Sequence, residues 1–281
     1  MKKLLIGLAT AAVAAATAFS FTGCSNNTLT VYTESGFAPF EYVANGEIVG
    51  VDVEIMNLVG EKLGKKVVFE DVNFDTIVDA VADGKLTNVG AAGLSVTPAR
   101  QEKVAFSHEY YTANLYVIYP VADAETYEST TTDSKTGVYW ESMAGKKIGI
   151  QEGTTADLFL GDELAKGEEP EDNGILYGTG AVKTSYKSLN VAVSDIGLNT
   201  NVVIIDELPA QQLIKGKSNL KCAPLYYKGG ENEEDEAACD TYAIAVTKGQ
   251  DELLKAINEV LDELGKEGIQ KLVNKHLGLS D

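Results

Sequence analysis

The sequence is poor in the residues from which most metal centres and nucleophilic sites are built. Its 281 residues include three cysteines and two histidines, His108 and His276. Neither histidine stands near a cysteine at the spacing that zinc ligands require. No Ser-His-Asp or Cys-His set with a catalytic spacing is apparent either. We therefore expect no metal, no cofactor and no catalysis.

Positive charge is also scarce. Lysine and arginine together number 23, against 42 aspartates and glutamates, which gives a formal net charge of −19. Such a chain is poorly suited to bind nucleic acid or anionic lipid headgroups. The same field favours small cationic solutes, although surface charge also serves solubility alone.

The first 23 residues have the layout of an export signal. Lys2 and Lys3 precede an alanine-rich apolar run over residues 4–21, and small residues follow before Cys24. A transmembrane helix is the alternative, but the run is near the lower length limit and no positive flank follows it.

The FTGC that closes this segment resembles the lipobox of bacterial lipoproteins, with Phe21 in place of the usual leucine. The resemblance implies an extracytoplasmic protein that acyl groups on Cys24 anchor to the cell membrane. Residues 24–27 would form a short tether. A plain signal peptide with a free Cys24 is the alternative.

The other two cysteines, Cys222 and Cys239, flank an acidic, glycine-bearing loop over residues 229–236. An exported protein meets an oxidising or thiol-poor environment, in which an even pair of cysteines is typical of a disulfide. Closing a loop of this length would stabilise the fold by about 3 kcal/mol. We expect this bridge, although the sequence alone leaves its formation open.

From residue 28 onward, short β-rich runs alternate with amphipathic segments, which predicts an α/β fold. Asp52 is predicted to cap the first helix, and Gly64 and Gly84 to end the first two helices. The predicted strands cover residues 29–33, 67–70, 146–151 and 202–205, and the predicted helices pass through residues 55–63, 77–81 and 156–164 and begin again near Pro209.

The strand and helix pattern starts twice, so the chain holds two α/β units, as suits a length that exceeds one comfortable core. Residues 121–137, rich in Thr, Asp and Ser, indicate a surface excursion between the two units. Residues 251–277 hold two helical patterns divided at Gly265.

Residues 90–111 are the most informative stretch. An apolar strand leads through Ser95 and Thr97 into a turn, and Pro98 then begins a short helix that carries Arg100. Backbone N–H groups, a hydroxyl and a guanidinium on one side would suit a planar carboxylate. Helix caps and a surface arginine explain the same residues equally well.

This stretch resembles the binding segment of the type 2 periplasmic-binding proteins, in their polar amino-acid branch. The family pattern is a small residue, Ser or Thr, Thr and Arg, followed by Phe-Ser and a Tyr. The matching residues are Gly93, Ser95, Thr97, Arg100, Phe106, Ser107 and Tyr110. His108-Glu109 departs from the usual acidic-Pro pair. Residues 36–55, 153–155 and 202–210 resemble further family landmarks, so the likeness covers nearly the whole mature chain.

The resemblance implies a role for each pole of a bound amino acid. Arg100, Ser95 and Thr155 would bind its α-carboxylate, and Asp206 and the Gly93 carbonyl would hold its α-ammonium. A dehydrated zwitterion costs several kcal/mol for each ion unless both poles are paired. Ligands that lack either pole should therefore bind poorly.

Four further positions correspond to the family's side-chain pocket. Phe37 and Phe74 would stack on the ligand side chain, and aromatic rings accept an aliphatic stem or a cation. Glu34 and Gln151 would tune the pocket for a polar or cationic side chain. As alternatives, both phenylalanines belong to the core and Glu34 is an exposed strand-end carboxylate.

The resemblance also implies an architecture of two lobes, each a mixed sheet flanked by helices, with the ligand cleft between them. Lobe one would comprise residues 28–111 and 241–281, and lobe two residues 112–240. Hinge closure around a free amino acid would be read by an ABC permease with its ATPase, and we expect the receptor to act as a monomer.

The same fold also hosts enzymes, such as cyclohexadienyl dehydratases, and sensory input domains. An enzyme needs a titratable group at the pocket floor, and His108 and His276 are poorly placed for that task. A sensor of this kind would act in trans, by docking on a separate receptor. The sequence leaves open the identity of the amino acid, its affinity, the permease partner, and whether the cell has one membrane or two.

Overall fold

A computed structural model describes residues 27–230 and 233–279 of the chain. The predicted signal peptide and the lipidation site Cys24 lie outside the described residues, so both stay predictions. Within residues 27–230 and 233–279, none of the helices is both long and apolar enough to cross a membrane.

Strands and helices alternate along most of the chain, as the sequence predicts. The strands are β1 (Thr28–Thr33), β2 (Gly36–Phe37), β3 (Glu41–Ala44), β4 (Glu47–Val49), β5 (Lys66–Asp71), β6 (Val89–Gly90), β7 (Ala105–Phe106), β8 (Tyr111–Pro120), β9 (Glu128–Thr130), β10 (Thr136–Tyr139), β11 (Lys147–Gln151), β12 (Val182–Tyr186), β13 (Val202–Asp206), β14 (Leu220–Tyr227), β15 (Glu236–Ala237), β16 (Cys239–Tyr242) and β17 (Ala245–Val246). The helices are α1 (Val51–Leu63), α2 (Phe74–Asp83), α3 (Pro98–Lys103), α4 (Ala124–Tyr127), α5 (Thr155–Leu164), α6 (Leu189–Ser194), α7 (Glu207–Ile214) and α8 (Asp251–Leu277).

The first sheet has the strand order β5-β1-β6-β17-β7. β1 runs parallel to β5 and β6, whereas β17 runs antiparallel to β6 and β7. Helix α1 covers this sheet with an apolar stripe, in which Ile55, Met56 and Val59 are fully buried. Helices α1 and α2 each end at a glycine in the left-handed conformation, Gly64 and Gly84, as predicted.

Asp52 does not cap α1, and that prediction is wrong. Gly50 occupies the capping position and Asp52 lies inside the first turn, with its side chain fully buried. A buried carboxylate needs partners of its own. Asp52 finds them in the Tyr110 hydroxyl and the Gly93 N–H instead of in its own helix.

The second sheet has the strand order β12-β11-β13-β8-β14-β10-β9. β11 runs parallel to β12 and β13, and β8 runs antiparallel to β13 and β14. Its own core is large, and Trp140, Tyr119 and Met143 are completely enclosed there.

Residues 121–137 are not a simple surface excursion. They include α4 and β9, and β9 forms the edge of the second sheet by pairing with β10. Tyr127 is buried at 1% exposure and packs on Tyr119 with ring centroids 5.4 Å apart. Most other residues of the segment are exposed, in agreement with its polar sequence.

β8 and β16 run antiparallel, from Tyr111 opposite Tyr242 to Cys239 opposite Asn114. Further along β8, Cys222 of β14 lies opposite Ile118. The β8 residues opposite the two cysteines are thus four positions apart, which corresponds to about 13 Å at the usual rise of a strand. A disulfide needs Cα atoms within about 7 Å. Both cysteines are free, and the predicted bridge is wrong.

The last helix, α8, follows the two predicted helical patterns. Its backbone leaves the helical conformation at Gly265, where φ is +58°, a value that glycine adopts without strain. α8 packs on α1 and so lies on the first sheet. His276, near its end, is held between the Tyr42 hydroxyl at 3.2 Å and Glu54 at 2.6 Å.

Candidate functional site

The predicted site residues follow strands of both sheets at their carboxyl ends. Glu34 follows β1, Gly93 and Ser95 follow β6, Gln151 ends β11 and Asp206 ends β13. In open α/β sheets, this edge of the parallel strands is where ligands bind. The carboxyl ends of the parallel strands in the two sheets face each other across a cleft. Residues from the two sides of this cleft are in contact, as described below.

Arg100 is the only arginine of the chain and is 8% exposed. Its Nη1 donates to the Ser95 carbonyl at 2.7 Å, and its Nη2 donates to the Gly153 carbonyl, also at 2.7 Å. Gly153 follows β11 of the second sheet, so the guanidinium ties the two sides of the cleft together. Burial lowers the pKa of Arg100, and the negative charge of Asp240 opposes that shift.

The sequence allows two interpretations of the turn from Thr97 to Arg100: a carboxylate site, or a helix cap with a surface arginine. The structure shows the cap but not a surface arginine. The Thr97 hydroxyl does cap α3, accepting the Arg100 N–H at 3.2 Å. The Arg100 side chain, however, is not a surface charge. Its Cζ lies 5.7 Å from the centroid of the Phe74 ring, within range of a cation–π contact. Phe74 therefore lies against the predicted carboxylate-binding residue.

Ser95 and Thr155 approach each other from opposite sides of the cleft. Ser95 is 4% and Thr155 8% exposed, and their hydroxyl oxygens are 3.4 Å apart. Thr155 begins α5, whose N-terminal N–H groups favour negative charge. The Ser95 hydroxyl also donates to Oδ2 of Asp240 on β16. The predicted carboxylate contacts therefore meet at one place.

Asp206 ends β13 and is 5% exposed, with no hydrogen-bond partner for its Oδ1 among the described residues. Burial, and next the charge of Asp240, raise its pKa from the ordinary 3.8 to about 7. The ionised form of such a buried carboxyl is stabilised by a cation that supplies hydrogen-bond donors. Asp206 thus has the properties of an ammonium-binding group.

Gly93 and Phe37 lie in direct contact. A Cβ on Gly93 would come 2.7 Å from Phe37 Cε1, and the φ of Gly93 is +53°, so only glycine suits this position. Phe37 is 7% exposed and also packs on Phe40 and Tyr242, at centroid distances of 5.9 and 6.0 Å. Phe37 therefore belongs both to the core and to the wall beside Gly93.

Glu34 and Gln151 lie close to each other across the cleft. Burial and then the charge of Asp71 raise the pKa of Glu34, whereas the Gly36 N–H and the Gln151 side chain oppose the rise. The Gln151 amide nitrogen donates to the Lys187 carbonyl at 3.0 Å. Neither residue is an exposed strand-end group, because Gln151 is buried and Glu34 is half-buried.

Sequence reasoning missed a group of acids around these residues. Asp240 lies at the point where the chain returns between the sheets. Glu41 and Asp52 are fully buried, and burial followed by the charge of Asp52 raises the pKa of Glu41 well above its usual range. Burial also raises the pKa of Asp52, to about 6. For Glu41 and Asp52, the only signal in the sequence is an acid inside an otherwise apolar segment, and Asp240 has no such signal.

One ion pair adds to the contacts across the cleft. Lys187, after β12 of the second sheet, reaches Asp75 of α2 at 2.7 Å, and it also pairs on its own side with Glu152 at 2.5 Å. All three groups are partly exposed, so each pair contributes little to stability. The pair of Lys187 with Asp75 bridges the two sides of the cleft, which are therefore in contact in this structure.

The model of a protein family, the bacterial extracellular solute-binding proteins, family 3, matches residues 29–279. The chain belongs to this family. Among curated relatives, the putative ABC transporter arginine-binding protein 2 of Escherichia coli K12 is 25% identical, over 97% of each chain. The arginine-binding extracellular protein ArtP of Bacillus subtilis 168 is 27% identical, over 98% of each chain.

Solved structures similar to this chain show the same fold. The substrate-binding protein AbpA from Streptococcus pneumoniae, bound to L-arginine, superposes with a TM-score of 0.71 at 25% identity, covering 90% of this chain and 96% of that one. An ancestral arginine-binding protein bound to arginine gives the same TM-score at 27% identity, covering 90% and 99%. The predicted two-lobed periplasmic-binding fold is thereby confirmed.

Proposed function

We propose that this family 3 solute-binding protein captures a free polar or cationic L-amino acid outside the cytoplasm. The observation that carries this proposal is the pairing of opposite charges in one cleft. Arg100 and Asp206 are both nearly buried, and both sense the charge of Asp240. A zwitterion between them would satisfy each group with its opposite.

Between a polar and a cationic amino acid, we favour a ligand with a basic side chain. The relatives' names include arginine-, histidine- and lysine/arginine/ornithine-binding proteins. The predicted site also holds more acids than bases, since Glu34, Asp206 and Asp240 are present beside a single arginine, Arg100. Excess negative charge favours a ligand with a net positive charge.

Binding without turnover is part of the proposal. The named relatives are binding proteins. His108 lies on the surface beside Asp262, and His276 lies beside Tyr42 and Glu54. Neither histidine contacts Arg100, Ser95 or Asp206 in the part of the chain that the structure describes, so neither is placed to act as an acid or base on a bound amino acid.

Delivery would follow from closure of the cleft. We assign residues 28–111 and 241–281 to lobe one and residues 112–240 to lobe two, joined by the paired strands β8 and β16. Thr155 and Asp206 would contact the ligand only when lobe two has closed on lobe one. Their binding energy would therefore favour the closed state, which an ABC permease with its ATPase would recognise on a monomeric receptor.

A thermal-unfolding panel tests the function. We expect arginine, and a few other polar or basic amino acids, to raise the midpoint of the mature domain by about 5 °C or more. Ligand at a hundred times its Kd adds about 2.7 kcal/mol to the stability of the folded state. The panel comprises the twenty amino acids, and a separate incubation with a cyclohexadienyl acid, followed for loss of the substrate, tests for turnover. A set in which no amino acid shifts the midpoint would refute the proposal.

We also propose that acyl groups on Cys24 anchor the protein to the membrane. Mass spectrometry of protein extracted from membranes should find Cys24 acylated and N-terminal. A matched Cys24→Ser variant should lose the lipid and appear in the soluble extracytoplasmic fraction. An unmodified thiol at Cys24 in membrane-extracted protein would contradict the anchor without affecting ligand binding.

A further inference from the structure

Asp240 holds a place in the cleft that none of the predicted binding roles accounts for. It is half-buried on β16, opposite Ala113 of β8, where the chain returns between the sheets. Its Oδ1 accepts the Thr241 N–H at 2.8 Å, and its Oδ2 accepts the Ser95 hydroxyl. A carboxylate of the protein is therefore bonded to a group that should bind the carboxylate of the ligand.

The Ser95 hydroxyl has a single proton to donate. While that proton points to Asp240, the Ser95 oxygen can only accept from other groups, such as the Thr155 hydroxyl 3.4 Å away. A ligand carboxylate has lone pairs and no proton, so it must displace Asp240 to gain a hydrogen bond from Ser95. It must also approach a fixed negative charge.

The ammonium end of the ligand is in the opposite situation. The charge of Asp240 reaches Asp206, the predicted ammonium contact, where it helps to raise the pKa. A cation close to Asp206 therefore relieves repulsion between two carboxylates. Asp240 thus favours the positive pole of a ligand and opposes the negative pole.

We propose that Asp240 is a specificity-determining residue that competes with the α-carboxylate of the ligand for the Ser95 hydroxyl. The inference rests on the proposed function and refines it. Asp240 reduces the contribution that the α-carboxylate makes to the free energy of binding. The cleft consequently discriminates less between an amino acid and its decarboxylated amine than it would with Ser95 free.

The variant Asp240→Asn tests this role with arginine and agmatine, which differ only in the α-carboxylate. An asparagine oxygen can still accept the Thr241 N–H, while its amide N–H group can donate to Ser95 and leave the hydroxyl proton for the ligand. Dissociation constants are measured by calorimetry at pH 8. We expect the ratio of the agmatine Kd to the arginine Kd to rise about tenfold in the variant, since the regained hydrogen bond involves a charged partner.

Glu236→Gln is the matched control, because it removes one exposed carboxylate from neighbouring β15 and should leave the ratio unchanged. Thermal unfolding without ligand checks that both variants are folded. If wild-type protein binds arginine and Asp240→Asn leaves the ratio unchanged, the role of Asp240 is wrong and the proposed function stands. If the thermal-unfolding panel identifies another amino acid as the ligand, that amino acid and its decarboxylated amine replace arginine and agmatine. If no amino acid binds, both the proposed function and this inference are wrong.

Discussion

Replacing Arg100 with alanine should weaken arginine binding by about a hundredfold or more. Removing one member of a buried, hydrogen-bonded charge pair costs about 3 kcal/mol or more, and each 1.4 kcal/mol is a factor of ten in Kd. Arg100 also bonds the Gly153 carbonyl at 2.7 Å across the cleft, so the variant loses a contact of the closed form together with the contact to the ligand carboxylate.

Arg100→Lys should be nearly as weak as the alanine variant. A lysine keeps the charge, but its ammonium is a single point and lacks the planar fork of donors of the guanidinium. Lys cannot hold the Ser95 and Gly153 carbonyls and still present two parallel N–H groups to a carboxylate. Both variants are measured by calorimetry with arginine at pH 8.

Lys103→Ala is the matched control for these variants. Lys103 lies on the same short helix, α3, but is exposed and pairs with Asp79 at 2.7 Å. Its removal takes away one positive charge near the cleft without touching the site, so the affinity should change less than threefold, as expected for a screened surface charge. Equal losses in Lys103→Ala and Arg100→Ala would mean that only overall charge matters.

The regular elements could be predicted because their signals are local. The apolar stripe through Ile55, Met56 and Val59 and the glycine at position 64 define most of α1 without reference to the rest of the chain. Residues 121–137 carry no such stripe. β9 exists there because β10 offers it a hydrogen-bonding edge, and this partner cannot be deduced from a polar local sequence.

The errors concern residues whose partners are distant in the sequence. Asp52 looked like a cap because acids favour helix starts, but Gly93 and Tyr110 bind it from elsewhere in the fold. Cys222 and Cys239 were predicted to form a disulfide because an exported protein meets an oxidising or thiol-poor environment, whereas the strand register keeps the two residues apart. Asp240 carries no local signal, since its position depends on how β16 meets β8.

The family resemblance supplied what periodicity could not. It singled out Arg100, on helix α3, and Asp206, at the end of β13, which are 106 positions apart in the numbering. The structure buries both, and it places Asp240 close enough to each of them to affect its pKa. The roles of these residues toward a ligand stay predictions, which the variants described here address one by one.

Arginine affinity should depend on pH through Asp206. In the ligand-free protein the pKa of this carboxyl is raised to about 7, mainly by burial, whereas an ammonium favours the ionised form. Binding therefore requires loss of a proton below pH 7. We expect affinity to be constant near pH 8, where Asp206 is ionised and the α-ammonium of the ligand is still protonated, and to fall by up to tenfold for each pH unit below 7. The measurement is calorimetry in buffers of different ionisation enthalpy.

Asp206→Asn should abolish this pH dependence and weaken binding by about a hundredfold at pH 8. The same variant should unfold at a higher temperature without ligand. Because the folded pKa of Asp206 lies above its ordinary value, the stabilising effect of its protonation is complete at low pH and is lost as pH rises through about 7. The gain in midpoint over wild type should consequently be larger at pH 8 than at pH 5.

Asp162→Asn is the matched control, since Asp162 is an exposed aspartate near the end of α5. It should change neither the affinity nor its pH profile. An Asp206→Asn variant that binds arginine as tightly as wild type would overturn the ammonium role. A variant that loses binding but gains no stability at pH 8 would show instead that another group neutralises Asp206 in the free protein. The combined result, lost affinity with raised stability, is expected only of a carboxylate kept buried for a cationic ligand.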